Sequence, residues 1–338
     1  MLSMACIGEQ PMRRRASFVA PRSHAVRVEA NELAFRISQK WFDSIIYFYT
    51  DIAGAEAGEQ SGGTGFLLGW PMPNSTNVTL WAVTNKHIIE QSHWTMRVNT
   101  KDGGFACIDT DDREWFCCSD SDLAVRPLQL SMDVHEFSYL TSEWLLTKDW
   151  YEALDIGPGD ECITIGRFVG HGGRNSNLPA ARFGQIAQSP KEPVIVDGKP
   201  QECFLVESRS IGGTSGSPVY VHLDTTNYRP NVGLKPDPDG SILGRGHFPT
   251  EPWLLGICFA MIRSWQPVCD SSCREVQNGW QVETNTGMMG VVPAWHLHEF
   301  MDTGDAGKAR KLLETVILEE IKRRDNISPI KATDQQPA

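Results

Sequence analysis

Between residues 44 and 292 the chain is a succession of short apolar runs cut by turn residues. The runs are 44–50 (SIIYFYT), 64–70 (TGFLLGW), 78–84 (VTLWAVT), 94–99 (WTMRVN) and 122–128 (DLAVRPL), followed by 161–168, 182–188, 202–208, 217–221, 253–262 (WLLGICFAMI) and 288–292. Gly, Pro, Asn and Asp separate them. Runs this short read as strands, and strands without intervening helices close into a sandwich or barrel rather than a doubly wound sheet. The chain shows no internal repeat, and 338 residues leave room for two packed antiparallel barrels.

Helical spacing is confined to the ends. In 29–43 (EANELAFRISQKWFD), Leu33, Ala34, Ile37 and Trp41 share a face. In 305–324, Leu312, Leu313, Val316, Ile317 and Ile321 form an apolar stripe. Both stripes read as core-facing. Residues 1–28 carry five arginines against one acid, Glu9, and read as a disordered lead-in, with a transit peptide as the alternative; 325–338 reads as a disordered tail. Residues 222–252, rich in Pro, Gly and Asp, read as a long surface loop able to gate or choose a substrate.

Charge and cysteine content narrow the function classes. Thirty-one basic residues against 42 acidic ones give a net charge of −11, which gives a nucleic-acid partner no support. No apolar run is long enough for a membrane span or a secretory signal. The nine cysteines are odd in number and scattered, which predicts free thiols and a cytoplasmic location. Cys269 and Cys273 have no second pair at metal-site spacing, so neither metal nor cofactor is expected.

Three stretches carry the candidate chemistry. His87 ends an apolar strand in WAVTNKHII, Asp122 opens an apolar run in CSDSDLAV, and Ser215 lies in the glycine-rich SIGGTSGSPVY. Each has an ordinary reading: a structural histidine, a turn aspartate, a tight turn. Together they stand in the order His, Asp, Ser, which among serine hydrolases is the chymotrypsin-type order. A serine hydroxyl needs a base to attack at neutral pH, the imidazole can serve as that base, and a carboxylate can fix the imidazole tautomer.

These blocks resemble those of the trypsin-like, chymotrypsin-fold serine peptidases, in the style of bacterial intracellular or HtrA-like members. TNKHII is similar to the His block, SDLAV to the Asp block and GTSGSP to the Gly-x-Ser-Gly-x-Pro block; TGFLLGW, WLLGICFAMI and MMGVVPAWHLHEF resemble flanking strands. The resemblance covers residues 44–300. It implies an all-β fold of two packed six-stranded-type barrels with N- and C-terminal helices, a peptidase domain over 29–300 and a C-terminal helix over 301–324. It implies a serine endopeptidase acting on a protein or peptide substrate, with His87 as base, Asp122 as its orienting partner, Ser215 as nucleophile and the amides of Gly213 and Ser215 as oxyanion hole. The implied pocket has Arg209 at its floor and Phe259, Ala260, Met261 and Gly290 in its walls. Arg209 at that place favours an acidic residue before the scissile bond, unless its side chain turns to solvent or pairs with Glu207. Thr214 stands where secreted relatives carry the aspartate that pairs with a freed N-terminus. The enzyme is therefore formed from the outset or ordered by an activating partner or by substrate.

Two rival readings stand beside this one. An α/β-hydrolase needs Gly-x-Ser-x-Gly, and Ser217 occupies the last glycine position. A peptidase fold kept as a catalytically silent binding or regulatory module keeps all the motifs without the activity.

Overall fold

The apolar runs form strands, and the turn residues end them. The computed structural model describes residues 36–59, 61–196, 198–208, 213–223, 252–276 and 279–327. In the first half the strands are β1 (Ile45–Tyr49), β2 (Ser61–Pro71), β3 (Val78–Thr84), β4 (Thr95–Asn99), β5 (Phe105–Ile108), β6 (Phe116–Cys117), β7 (Ala124–Pro127) and β8 (Leu140–Thr141). They form one sheet in the order β5-β4-β1-β2-β3-β7-β6, with β8 parallel to β2. In the second half they are β9 (Glu161–Gly166), β10 (Ala180–Gln188), a small hairpin of β11 (Val194–Val196) and β12 (Lys199–Gln201), then β13 (Phe204–Ser208), β14 (Pro218–His222), β15 (Trp253–Pro267) and β16 (Gln281–Pro293). Six of these close into a barrel, β10-β13-β16-β15-β14-β9.

Among the described residues the α-helices are α1 (Gln39–Phe42), α2 (Ile52–Ala57), α3 (Lys86–Glu90), α4 (Lys148–Ala153), α5 (Ala294–Asp302) and α6 (Asp305–Ile327). Ile46, Phe48, Leu67, Ala82, Ile88, Met96, Val98 and Trp115 pack into the core of the first half. Ile163, Ile165, Val206, Val219, Ile257 and Val291 are buried in the barrel strands. Trp41 of α1 lies on Tyr220 of β14, ring centroids 4.1 Å apart.

Three expectations are corrected. Only one barrel closes among the described residues. The first half stays an open sheet because its edges, four-residue β5 and two-residue β6, do not pair with each other. At the N-terminal end, the helix expected over 29–43 is described only as the four residues of α1. Ser38 ahead of it is extended, with ψ 142°, and Leu33 and Ala34 lie outside the described residues. At the C-terminal end, the helix is interrupted at Gly304, where a β-carbon would lie 2.8 Å from Phe300 O. The helix after it runs to Ile327, past the expected tail boundary. The lead-in 1–28 lies outside the described residues, as does nearly all of the loop 222–252.

The face that α6 buries matches the apolar stripe only in part: Leu313, Ile317 and Ile321 are half-buried. Leu312 and Val316 are 67% and 56% exposed, whereas Arg310 and Glu314 are buried. Arg310 ion-pairs with Glu314, donates to Met301 O at 3.0 Å and stands 4.7 Å over the Trp70 ring of β2. A hydrophobic-periodicity argument misses such a contact because it assumes the buried side is apolar. Arg310→Ala should destabilise the protein by about 3–5 kcal/mol, since it strands Glu314 in the interior. Replacing both residues by leucine should recover most of that loss, as read from urea unfolding midpoints.

Candidate active site

β3 and β7 are antiparallel neighbours, with Thr84 opposite Ala124. His87 stands three residues past Thr84 in the first turn of α3, and Asp122 two residues before Ala124. The register therefore sets the two side by side. His87 Nδ1 lies 2.6 Å from Asp122 Oδ2, and the His87 amide donates to Asp122 Oδ1 at 2.9 Å. Asn85 Nδ2 donates to Asp122 O at 2.9 Å, which fixes the backbone of the aspartate. The short ring contact assigns the proton to Nδ1, because a carboxylate only accepts, and leaves Nε2 as the basic nitrogen. The side chains are 32% and 16% exposed, so the pair sits at the rim of the fold rather than in its core.

Ser215 lies on a turn with two left-handed glycines, Gly213 at φ +89° and Gly216 at φ +82°. A β-carbon on Gly216 would lie 1.8 Å from Thr64 O, so only glycine fits there. The turn is stitched to both halves of the fold. On the barrel side, the Gly216 amide donates to Cys258 O at 2.8 Å and the Cys258 amide to Ser217 O at 2.9 Å. On the sheet side, the Thr64 amide donates to Ser215 O at 2.8 Å, and Thr64 Oγ1 donates to Gly213 O at 3.0 Å. Thr64 O in turn accepts from Thr84 Oγ1 at 2.8 Å, which ties in the strand leading to His87. Gly63 is the meeting point: a β-carbon there would lie 2.5 Å from Ile88 Cδ1 and 2.9 Å from Ser215 O.

The structure brings His87 and Asp122 into contact and packs the Ser215 turn beside them. It does not join Ser215 Oγ to His87; that hydroxyl donates to Phe259 O at 3.5 Å. Phe259, Ala260, Met261 and Gly290 come together on β15 and β16, where Ala260 pairs with Gly290 and Met261 with Met289. The Phe259 ring covers Gly290, with Cε1 2.6 Å from where a β-carbon would stand. Arg209 lies outside the described residues.

Thr214 is buried, and its Oγ1 accepts from the Cys258 thiol at 3.8 Å. Burial pushes that thiol up to about 11, so it stays neutral and the position carries an uncharged contact. Eight free cysteines are described, from Cys107 to Cys273. No described helix is long and apolar enough to cross a membrane, and the described residues hold no cluster of metal-ligating side chains.

Three site residues escaped the sequence reading: Thr64, Asn85 and His93. The signal for Thr64 was the GGTGF glycine pattern, since glycine within a strand marks close backbone approach. His93 packs on Gly62, and burial holds it below the usual imidazole range.

Thr64→Val should cost about 1–3 kcal/mol, because Gly213 O and the Arg167 amide, which also bonds Thr64 Oγ1, lose their partner in a buried place. Thr64→Ser, which keeps the hydroxyl, should stay near wild type. Denaturant midpoints of the two variants compare them directly.

No family model and no curated protein matches the sequence. The solved structures it resembles are serine proteases of HtrA or trypsin-like type. An HtrA-type protease, AlgW with a decapeptide, is 16% identical with TM-score 0.40; the match covers 72% of this chain and 53% of that one. Deg5 is 18% identical with TM-score 0.37, over 66% of this chain and 81% of that one. The MamO protease domain from Magnetospirillum magneticum is 13% identical with TM-score 0.37, over 78% and 98%. The chain spans about half the length of the AlgW chain it is similar to.

Proposed function

We propose that the chain is a serine endopeptidase that cleaves a protein or peptide substrate through an acyl-enzyme, without metal or cofactor. The observation that carries this reading is the His87–Asp122 contact, 2.6 Å through the ring and 2.9 Å through the backbone. It produces an oriented imidazole whose second nitrogen is available as a base. A buried structural histidine has no need of both contacts.

In this reading Ser215 Oγ rotates away from Phe259 O and gives its proton to His87 Nε2 as it attacks the scissile carbonyl carbon. The amides of Gly213 and Ser215 stabilise the resulting oxyanion; neither donates to an acceptor among the described residues. Collapse of the tetrahedral adduct transfers the imidazolium proton to the leaving amine and leaves an acyl-Ser215 ester. Water, deprotonated by His87, then hydrolyses the ester and restores the serine. Asp122 keeps Nδ1 protonated throughout and stabilises the transient imidazolium. Phe259 to Met261 and Gly290 would flank the residue before the scissile bond.

The hydrogen bond from Ser215 Oγ to Phe259 O favours a second reading, a silent binding module whose serine never meets its base. A fluorophosphonate probe separates the two. The peptidase reading expects wild type to label at Ser215, Ser215→Ala to stay unlabelled, and His87→Ala to label about a thousandfold more slowly. A folded wild-type protein that resists labelling, also when its substrate is present, would establish the silent module instead.

A further inference from the structure

Arg97 stands in the middle of β4 and is fully buried. Its hydrogen bonds among the described residues all end on neutral oxygens: Ala55 O at 3.0 Å, Gly173 O at 2.7 Å, Ser176 O at 3.0 Å and Asn177 Oδ1 at 2.8 Å. The guanidinium also lies 4.4 Å from the centroid of the Phe105 ring. Three of its four acceptors belong to one segment, the connection from β9 to β10.

Asn177 locks that segment from the other side. Its Oδ1 takes Arg97 Nε, and its Nδ2 donates to Arg97 O at 2.7 Å. Its amide donates to Asn99 Oδ1 at 2.6 Å, and its carbonyl accepts from Asn99 Nδ2 at 3.1 Å. All four polar groups of a buried asparagine are thus committed to β4. The loop is closed on itself by Leu178 N donating to Gly172 O at 3.0 Å, and Gly173, at φ +90°, gives it the necessary turn.

The near end of the same connection touches the nucleophile turn. Arg167 N donates to Thr64 Oγ1 at 3.0 Å, and Val169 Cγ2 lies 2.9 Å from where a β-carbon on Gly213 would stand. A buried guanidinium is costly unless its donors all find acceptors. The segment therefore cannot lift away without stranding Arg97 in the core, and while it stays down, Val169 backs Gly213.

We propose that Arg97 and Asn177 form a positioning latch for the oxyanion donors: they pin the connection 167–178, and through Val169 that connection holds Gly213 in its left-handed conformation. The proposal deepens the peptidase reading and rests on it for the catalytic consequence; the mechanical coupling stands on geometry alone. Nothing in it alters His87 or Asp122.

The test compares full-length wild type, Asn177→Ala and Val169→Ala. Val169 is 49% exposed, so its truncation leaves the unfolding midpoint unchanged, whatever happens to Asn177→Ala. Hydrogen–deuterium exchange is read in peptides covering 167–178, 213–217 and 85–90, alongside kcat and KM on a cleavable peptide. Expected in both variants is faster exchange at 213–217, with 85–90 as protected as in wild type. In parallel kcat should fall about tenfold or more, with KM and the pH profile unmoved, a fraction of the effect of deleting an oxyanion donor outright. Unchanged exchange at 213–217 in Val169→Ala would overturn the latch, as would a kcat loss that only tracks the unfolded fraction. If exchange spreads as expected while wild type neither labels nor cleaves, the latch stands and the peptidase reading falls.

Discussion

Four hydrogen bonds converge on one buried side chain and its peptide groups, those of Thr64. Its amide holds Ser215 O, its hydroxyl donates to Gly213 O and accepts from the Arg167 amide, and its carbonyl accepts from Thr84 Oγ1. These partners belong to the nucleophile turn, the β9–β10 connection and the strand that delivers His87. A hydroxyl can donate and accept at once in this way. The open sheet and the closed barrel are thus joined at the point where the chemistry is placed, and a shift of Thr64 would move both halves of the candidate site.

The two halves of the site differ in readiness. The His87–Asp122 half is complete: register, ring contact and backbone contact all agree. The Ser215 half is built around glycines and Thr64, but its hydroxyl is turned to Phe259 O. Catalytic hydrogen bonds in unliganded sites are often loose and tighten with substrate. The neutral Thr214–Cys258 contact is consistent with a turn whose order does not depend on a charge delivered by a new N-terminus.

Much of this was legible in the sequence, for identifiable reasons. β1 announced itself because a wholly buried strand is a dense apolar run. The His87–Asp122 contact was legible because nucleophilic chemistry would demand those residue types in a restricted order, whereas the turn of Ser215 Oγ toward Phe259 O was not. Arg97 was not legible: an arginine inside WTMRVN looks like the outward residue of an alternating strand, and three of its four acceptors lie 76 to 80 positions away. Arg310 and Glu314 were hidden in the same way, because an apolar stripe gives no sign of a buried ion pair beside it. The open edge of the first sheet escaped because strand pairing at an edge depends on strand length, which composition does not fix. Pocket chemistry at Arg209 stays with the sequence reading.

The most direct test of the account is the crystal structure of the protein after reaction with a fluorophosphonate. The account predicts phosphorus bonded to Ser215 Oγ, the phosphoryl oxygen held by the amides of Gly213 and Ser215, and the His87–Asp122 contact unchanged. An unmodified Ser215 still bonded to Phe259 O, or an adduct whose oxygen points away from those amides, would contradict it.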